Sequence, residues 1–189
     1  SFASGLFSPP VSATYTIDTE PPSIVAVASP PLHGAWMTTP VTVSFQCTDN
    51  IVVVSCSPPI TIATDAFERA IVGVATDAAG NQSTTSVTVS VDVTPPALFI
   101  TAPTDQSTTP EVRASVVASV ADISGIADAR CNGESAVVTG MAIACDVDLQ
   151  PGRNDIVISA TDQAGHAAMS AVTLTRVGTT ARKIGRAHV

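Results

Sequence analysis

The sequence predicts an all-β chain that folds as two tandem antiparallel β-sandwiches. The first observation is composition: Val, Ala and Ile dominate the apolar residues, aromatic residues are only 4% of the chain, and there are 14 prolines. Such a composition favours short strands joined by turns over long helices. The second is a repeated phrase, "DTEPPSIVA" at 18–26 and "DVTPPALFI" at 92–100. The third is the alternation of apolar and polar residues in short runs between turn signals.

A second pair of motifs keeps the same order relative to the repeated phrase. "TDAAGN" at 76–81 precedes the boundary residue Asp92, and "TDQAGH" at 161–166 precedes Val177 by the same interval. The two copies of the repeated phrase begin 74 residues apart, at 18 and 92. A repeat of roughly this length is typical of tandem modules, each of which forms one structural unit.

The repeat divides the chain into four predicted parts. They are residues 1–20, the last strand of a preceding repeat; 21–94, the first module; 95–177, the second module; and 178–189, a non-native or disordered tail. Residues 184–189 match the translated sequence of a common sequencing adapter, so we interpret them as read-through and exclude them from the fold.

The strands follow from alternation and from the turn residues between them. The first module predicts strands at 24–28, 41–47, 52–56, 60–64, 70–76 and 83–93. The second predicts strands at 97–102, 112–120, 126–131, 136–138, 141–149, 155–161 and 168–176. Asp77 begins the turn of the last hairpin of the first module, and Gly80 supplies its left-handed residue. Six or seven short strands without a helical period predict immunoglobulin-like antiparallel β-sandwiches.

The order of the motifs resembles that of bacterial immunoglobulin-like repeats. The motifs are D-x-x-P-P at the start of a module, C-T-D after the second strand and A-T-D-x-A-G-N at the last hairpin, and the resemblance covers residues 18–177. It implies a secreted or cell-surface, adhesin-type bacterial protein built from tandem modules. The second module departs from the pattern at His166, where Asn is usual, and at Val177, where the closing acid is missing.

The four cysteines fall two to a module. Cys47 and Cys56 bracket the loop between the second and third strands, and Cys131 and Cys145 bracket the middle hairpin of the second module. We expect Cys56 and Cys131 to occupy corresponding positions. Of three possible connectivities, the intramodule disulfides Cys47–Cys56 and Cys131–Cys145 are the simplest, and buried free thiols are the alternative. Disulfides would indicate an oxidising, extracellular or cell-surface location.

The acidic residues, most of them Asp, are the candidate metal ligands. The sequence predicts two groups, Asp18, Asp49 and Asp77 with Glu20 in the first module and Asp92, Asp122 and Asp162 in the second. Each group should converge where the loops of one end of a sandwich meet the incoming chain. Clustered carboxylates suit Ca²⁺, and the resemblance implies Ca²⁺ held between modules. The alternative is that each Asp only caps a turn or begins a linker.

The sequence carries no motif of a known catalytic site. It contains no G-x-S-x-G, Walker loop or H-E-x-x-H. His33 and His166 are expected to be solvated loop residues, and Trp36 to pack in a loop. The formal charge of −8 argues against nucleic acid and anionic membrane surfaces as partners, and no apolar run is long enough to insert into a membrane.

These observations predict a non-catalytic structural or adhesive stalk module of a large secreted or surface-anchored bacterial protein. Its partners would be neighbouring repeats of the same chain and a host or cell-surface protein or glycan, and Ca²⁺ would be its one cofactor. The alternative function is an accessory spacer or carbohydrate-binding module of a secreted hydrolase.

Overall fold

A computed structural model describes residues 15–178. Residues 1–14 and 179–189 lie outside this range, and with them most of the predicted strand of a preceding repeat and almost all of the predicted tail. Residues 15–22 form no strand. In the described range, no helix is long and apolar enough to cross a membrane.

The first half of the described chain forms two antiparallel three-stranded sheets. Its strands are β1 Ser23–Ser29, β2 Val41–Thr48, β3 Val53–Cys56, β4 Ile60–Ile62, β5 Ala66–Asp77 and β6 Gln82–Val91. One sheet has the order β1-β2-β4 and the other β3-β5-β6. This is the division of strands found in immunoglobulin-type sandwiches, in which the first, second and fourth strands face the third, fifth and sixth.

The second half repeats the arrangement with additional short strands. They are β7 Ala97–Ala102, β8 Ser107–Thr109, β9 Arg113–Ala121, β10 Ile126–Cys131, β11 Glu134–Ser135, β12 Val137–Thr139, β13 Ala142–Asp148, β14 Gly152–Asp162 and β15 Ala167–Arg176. The sheets have the orders β12-β13-β9-β7 and β11-β10-β14-β15-β8. The pairing of β8 with β15 is parallel, and the sequence did not predict β8.

Each pair of sheets encloses its own core, and the predicted fold class is confirmed. In β2 the alternation points Val41 and Val43 inward, where both are fully buried. In β9 the same period buries Val116, Ala118 and Val120. Because successive side chains of a strand point to opposite faces, one such strand supplies a row of core residues to its sandwich.

The hairpin joining β5 to β6 has the backbone that the sequence predicts. The Gly80 N–H donates to the Asp77 carbonyl at 3.4 Å, and Gly80 has φ +89°. The hairpin joining β14 to β15 is built in the same way, with Gly165 at φ +98° and its N–H 3.3 Å from the Asp162 carbonyl. Both turns therefore require a residue that tolerates the left-handed region, which glycine does without strain.

Both predicted disulfides are bonded, Cys47 to Cys56 and Cys131 to Cys145. The expectation that Cys56 and Cys131 correspond is wrong. Cys56 pairs across the sheet with Ala75, whereas the equivalent Ala160 pairs with Ala129, two residues before Cys131. A shift of two residues keeps a side chain on the same face of a strand, so both positions can reach a partner in the opposite sheet.

Candidate metal centres

The last hairpin of each sandwich places an aspartate side chain under its own turn. Asp77 is 2% exposed and Asp162 1% exposed. Asp77 Oδ1 accepts the Asn81 backbone N–H at 2.8 Å, and Asp162 Oδ1 accepts the N–H of His166 at 2.8 Å. The second oxygen of Asp77 accepts Asn81 Nδ2 at 2.8 Å, whereas that of Asp162 accepts no hydrogen bond from a described residue.

The first group, here called the N-terminal cluster, consists of Asp18, Asp49 and Asp77. One carboxylate oxygen from each lies within 4.8 Å of the others. Asp49 Oδ2 accepts the Ile51 N–H at 2.9 Å, while its Oδ1 is buried without a hydrogen bond to any residue in the described range. The structure therefore brings these three predicted residues together, and every candidate ligand atom is an oxygen.

Two amides fasten the incoming chain to the N-terminal cluster. Asn81 Nδ2 donates to Asp77 Oδ2 at 2.8 Å and to the Asp18 carbonyl at 3.3 Å. Glu20 was expected to join the group, but its carboxylate instead accepts Asn50 Nδ2 at 3.2 Å. The Asn81 amide thus satisfies the Asp77 carboxylate. Asp162 is the residue at the matching position of the second sandwich.

The second group, here called the junction cluster, consists of Asp92, Asp162 and His166. Their candidate ligand atoms also lie within 4.8 Å of one another. Asp92 immediately follows β6 and is 0% exposed, so the end of the first sandwich meets the hairpin of the second. His166 Nδ1 lies 3.4 Å from Asp162 Oδ2. Asp92 Oδ2, Asp162 Oδ2 and His166 Nδ1 are buried and have no hydrogen bond to any described residue.

Asp122, the third predicted member of the second group, is close but is not part of the ligand set. Its Oδ1 accepts the Ser124 backbone N–H at 2.8 Å and the Ser124 hydroxyl at 2.7 Å. Burial raises the pKa of Asp92 above its ordinary value, and the negative charges of Asp122 and Asp162 act in the same direction. Asp122 therefore adds negative charge near Asp92 but supplies no candidate ligand atom.

The electrostatics of the equivalent end of the first sandwich are opposite. Burial also works against the charge of Asp77, but the hydrogen bonds from the side chain and backbone of Asn81 outweigh it and lower the pKa of Asp77. Asp77 is stabilised as a carboxylate by neighbours that are already present. Asp92 also accepts hydrogen bonds, among them that of the Thr94 N–H, but burial and the two neighbouring carboxylates outweigh them and raise its pKa.

Sequence reasoning missed two residues of the junction. It expected a solvated His166, whereas Nδ1 is buried in the cluster; the signal was the change from Asn81 to His166 at matching positions. Asp65 had no signal in the repeat. Its Oδ1 accepts the Val93 N–H at 2.8 Å, and its Oδ2 accepts the Thr94 hydroxyl at 2.5 Å.

One aromatic pair lies on the first sandwich. The rings of Trp36 and Phe67 stack at 5.5 Å with an interplanar angle of 27°. Trp36 is half-buried and Phe67 is 61% exposed. Trp36 therefore packs against the ring of Phe67, which itself remains open to solvent.

Neither a scan against protein-family models nor a search of curated proteins finds a match for the chain. Among solved structures it is similar to fibronectin(III)-like modules of CbhA from Clostridium thermocellum, at 17% identity and TM-score 0.39, covering 87% of this chain and 100% of that one. It is also similar to a Dpr2 Ig1-Ig2 complex with DIP-Theta Ig1-Ig3, at 13% identity and TM-score 0.38, covering 83% and 65%.

A third similar structure is the Bacteroides ovatus mixed-linkage glucan utilization locus protein SGBP-B with a heptasaccharide, at 10% identity and TM-score 0.31. The match covers 83% of this chain and 48% of that one, so the chain spans about half of that protein. The likeness to all three concerns the β-sandwich fold alone.

Proposed function

We propose that this chain is a non-catalytic stalk segment of a secreted or surface-anchored bacterial protein. Its two sandwiches hold a partner domain at a distance, and the crossing between them limits how far they bend. The two disulfides support an oxidising, extracellular location, because such bonds persist outside the reducing cytosol.

The observation that carries this proposal is the hydrogen bonding of the crossing itself. Only residues 92–96 separate β6 from β7. The Asp92 N–H donates to the Met37 carbonyl at 2.9 Å, the Val93 N–H to Asp65 at 2.8 Å, and the Thr94 N–H to Asp92 Oδ1 at 3.3 Å. The last two crossing residues are prolines, which have no N–H and a fixed φ.

A crossing of this kind resists bending because no donor is free to find another partner. Pro96 is also buried, which anchors the crossing at the start of the second sandwich. A flexible linker would instead expose its backbone groups to water and contain Gly or Ser. The crossing is therefore suited to transmitting an orientation from one module to the next.

Ca²⁺ at the N-terminal cluster is part of the proposed function. Its donor set is entirely oxygen, and Ca²⁺ takes about six to eight oxygens in irregular geometry. Asp18 lies in the incoming chain, whereas Asp49 and Asp77 belong to the first sandwich. An ion bound there would fix the incoming segment against the sandwich, as the hydrogen bonds of the crossing do at the other end.

Small-angle X-ray scattering tests the stiffness of the crossing. Replacing Pro95 and Pro96 together by Gly should broaden the distance distribution of the chain, because two residues with fixed φ become freely rotating. Pro151→Gly, in a turn inside the second sandwich, is the matched control and should leave the distribution unchanged. An unchanged distribution for the double variant would contradict a stiff crossing.

Thermal unfolding after EDTA treatment tests Ca²⁺ at the N-terminal cluster. Added CaCl₂ should raise the Tm of the native chain, and Asp49→Ala should abolish the increase. Asp146→Asn, which changes an exposed acid on β13, controls for net charge and should keep the response. A Tm indifferent to Ca²⁺ would remove the ion from the proposal and leave the stalk function to the scattering test.

A second candidate function, carbohydrate binding by an accessory module, is favoured by the Trp36–Phe67 pair. Stacked, partly exposed rings can support the apolar face of a sugar. Affinity electrophoresis in gels containing soluble β-glucans tests it, with Trp36→Ala as the variant and Phe99→Ala, an exposed ring on β7, as the control. Retardation that Trp36→Ala removes would support this function, and unretarded migration of the native chain would contradict it for those glycans.

A further inference from the structure

We propose that the junction cluster binds a divalent transition-metal ion of the Zn²⁺ type, with Asp92, Asp162 and His166 as its protein ligands, and that the ion joins the two sandwiches. This differs from the Ca²⁺ proposed for the N-terminal cluster in both ion and ligand chemistry. Zn²⁺ binding is measured on the purified chain, so its outcome is independent of whether the chain serves as a stalk.

The geometry of the cluster fits a small ion. His166 Nδ1 and Asp162 Oδ2 are 3.4 Å apart, and the third ligand atom, from Asp92, lies within 4.8 Å of both. Two ligands at about 2.1 Å from a tetrahedral ion are about 3.4 Å apart, which is the separation of the first pair. Three protein ligands leave a position open for water, as in many zinc sites.

The buried atoms of the cluster lack the hydrogen bonds that would otherwise stabilise them. Asp92 Oδ2 and Asp162 Oδ2 belong to side chains that are 0% and 1% exposed, and neither oxygen accepts a hydrogen bond from a described residue. His166 Nδ1 is buried and makes none either, although Asp162 is close. Buried polar groups are almost always paired, so unpaired atoms from three side chains aimed at one point indicate a ligand.

The electrostatic environment also favours a cation. Asp92 and Asp162 supply two of the three candidate ligand atoms that lie within 4.8 Å of one another, and the negative charge of Asp122 also acts on Asp92. Arg153 and Arg130, the cations in ion pairs with Asp155 and Asp128, are committed elsewhere on the surface. A divalent ion would offset the repulsion between Asp92 and Asp162 that burial intensifies.

The imidazole decides which cation fits. Ca²⁺ and Mg²⁺ take oxygen ligands, whereas an imidazole with carboxylates suits Zn²⁺ and its neighbours in the first transition row. At the matching position in the first sandwich, Asn81 donates its amide to Asp77 and satisfies that carboxylate. His166 offers a ring nitrogen to Asp162 without making that hydrogen bond, so the same hairpin becomes a nitrogen-containing metal site.

The bound ion would connect two elements that no covalent link holds in register. Asp92 immediately follows β6 of the first sandwich, and Asp162 and His166 belong to the hairpin of the second. Coordination would fix the angle between the sandwiches by ligand bonds in addition to the crossing. Removing the ion should therefore broaden the scattering distance distribution in the native chain, and not in the His166→Asn variant.

Isothermal titration of the EDTA-treated full chain with ZnCl₂ and with CaCl₂ is the direct test. Zn²⁺ should bind the junction at least about 100-fold more tightly than Ca²⁺ does, and His166→Asn should weaken Zn²⁺ binding by at least about 100-fold. His166→Asn should fold, because it recreates the Asp–Asn pair of the first sandwich, and circular dichroism checks this. X-ray absorption at the zinc edge should show one imidazole nitrogen at about 2.0–2.1 Å.

Two control variants separate the junction from other sites. Asp77→Asn alters the N-terminal cluster, and the double variant His33→Gln/His188→Gln removes the other two histidines; both should keep tight Zn²⁺ binding. The proposal is overturned if His166→Asn binds Zn²⁺ as tightly as the native chain, if any control variant abolishes binding, or if the absorption spectrum contains no imidazole.

Discussion

In the first sandwich the ring of Phe45 lies over Gly73, so that a methyl group added to Gly73 would overlap the ring. Counted from the aspartates that the two modules share, the same positions in the second sandwich hold Ala118 and Ile158, both fully buried. The large residue has moved from one sheet to the facing sheet. Protein interiors are packed at nearly constant density. The sandwich accommodates this exchange because the total side-chain volume in the core is conserved.

The polar ends of the two sandwiches show no such compensation. Asn81 satisfies Asp77 with an amide hydrogen bond, whereas His166 leaves Asp162 Oδ2 without one. A smaller side chain on one sheet can be compensated by a larger one on the facing sheet. A buried carboxylate without a hydrogen bond is compensated only by a hydrogen-bond donor or a cation. The exchange in the core leaves both sandwiches packed, whereas the difference between Asn81 and His166 changes how the carboxylate of the last hairpin is hydrogen-bonded.

The largest effect is expected from breaking the exchange in the core. Phe45→Ala should destabilise the first sandwich by about 3 kcal/mol, because the partly buried ring leaves a cavity over Gly73. Adding Gly73→Ile should restore at least about 2 kcal/mol of that loss, because it reproduces the pair found in the second sandwich. Urea unfolding followed by the fluorescence of Trp36, the chain's single tryptophan, reports on the first sandwich.

Gly73→Ile alone completes the double-mutant cycle. It should destabilise the sandwich by about 1–3 kcal/mol, since the new side chain overlaps the Phe45 ring. Strictly additive effects of the two substitutions would show that Phe45 and Gly73 do not exchange volume. Val25→Ala, on the exposed face of β1, controls for the loss of apolar side-chain atoms and should have little effect.

The next effect comes from removing a charge at each polar end in metal-free buffer. Asp77→Asn should lower the Tm by about 5 °C or more, because it sets an amide against the Asn81 amide and loses a charged acceptor. Asp92→Asn should leave the Tm unchanged or raise it, because it removes a buried charge whose Oδ2 has no donor in the described chain. Scanning calorimetry in EDTA measures both.

Asp77→Asn is expected to lower the Tm and Asp92→Asn is not, so measuring both tests whether the two polar ends differ. If Asp92→Asn lowers the Tm as much as Asp77→Asn does, the Asp92 carboxylate is satisfied in solution and the two ends are alike. With ZnCl₂ present, Asp92→Asn should lose the increase in Tm that the native chain gains. Binding to the folded state alone raises stability with ligand concentration, so the increase should grow as ZnCl₂ is added.

The sequence was informative where structure depends on local pattern. Alternation placed most strands within a few residues, and the Asp and Gly of the last hairpins predicted the turns that Gly80 and Gly165 make. It failed for β8, a polar Ser107–Thr109 segment that is a strand only because it lies parallel to β15. No periodicity marks a short polar segment whose partner is distant in the chain.

The site divides in the same way. Repeated aspartates predicted the N-terminal cluster and two of the three residues of the junction cluster, because all of these aspartates except Asp18 lie at or just after the end of a strand. The pattern of strands and turns did not place His166, whose ring is close to Asp162 of its own hairpin, or Asp65, which accepts hydrogen bonds from the crossing. Asp122 shows the converse: its position was predicted, but its hydrogen bonds to Ser124 commit it to its own loop.

The smallest effect concerns how the incoming chain is held. The segment entering the first sandwich is held by that sandwich, through Asn81 and the Asp18 carbonyl, whereas the segment entering the second is held by Asp65 of the sandwich it leaves.

Hydrogen bonds from the Thr94 hydroxyl and the Val93 N–H lower the pKa of Asp65 below its ordinary value of 3.8. A carboxylate with a depressed folded-state pKa stabilises the fold above its unfolded pKa, and this contribution disappears as the pH falls through the folded value. Asp65→Asn should therefore cost about 1 kcal/mol at pH 7 and progressively less below the unfolded pKa, measured as the difference in Tm between variant and native chain at each pH. Asp146→Asn, which removes a carboxylate that accepts no hydrogen bond from the described residues, corrects for net charge. A difference in Tm for Asp65→Asn that stays constant from neutral pH to well below 3.8 would show that Asp65 does not hold the crossing through its charge.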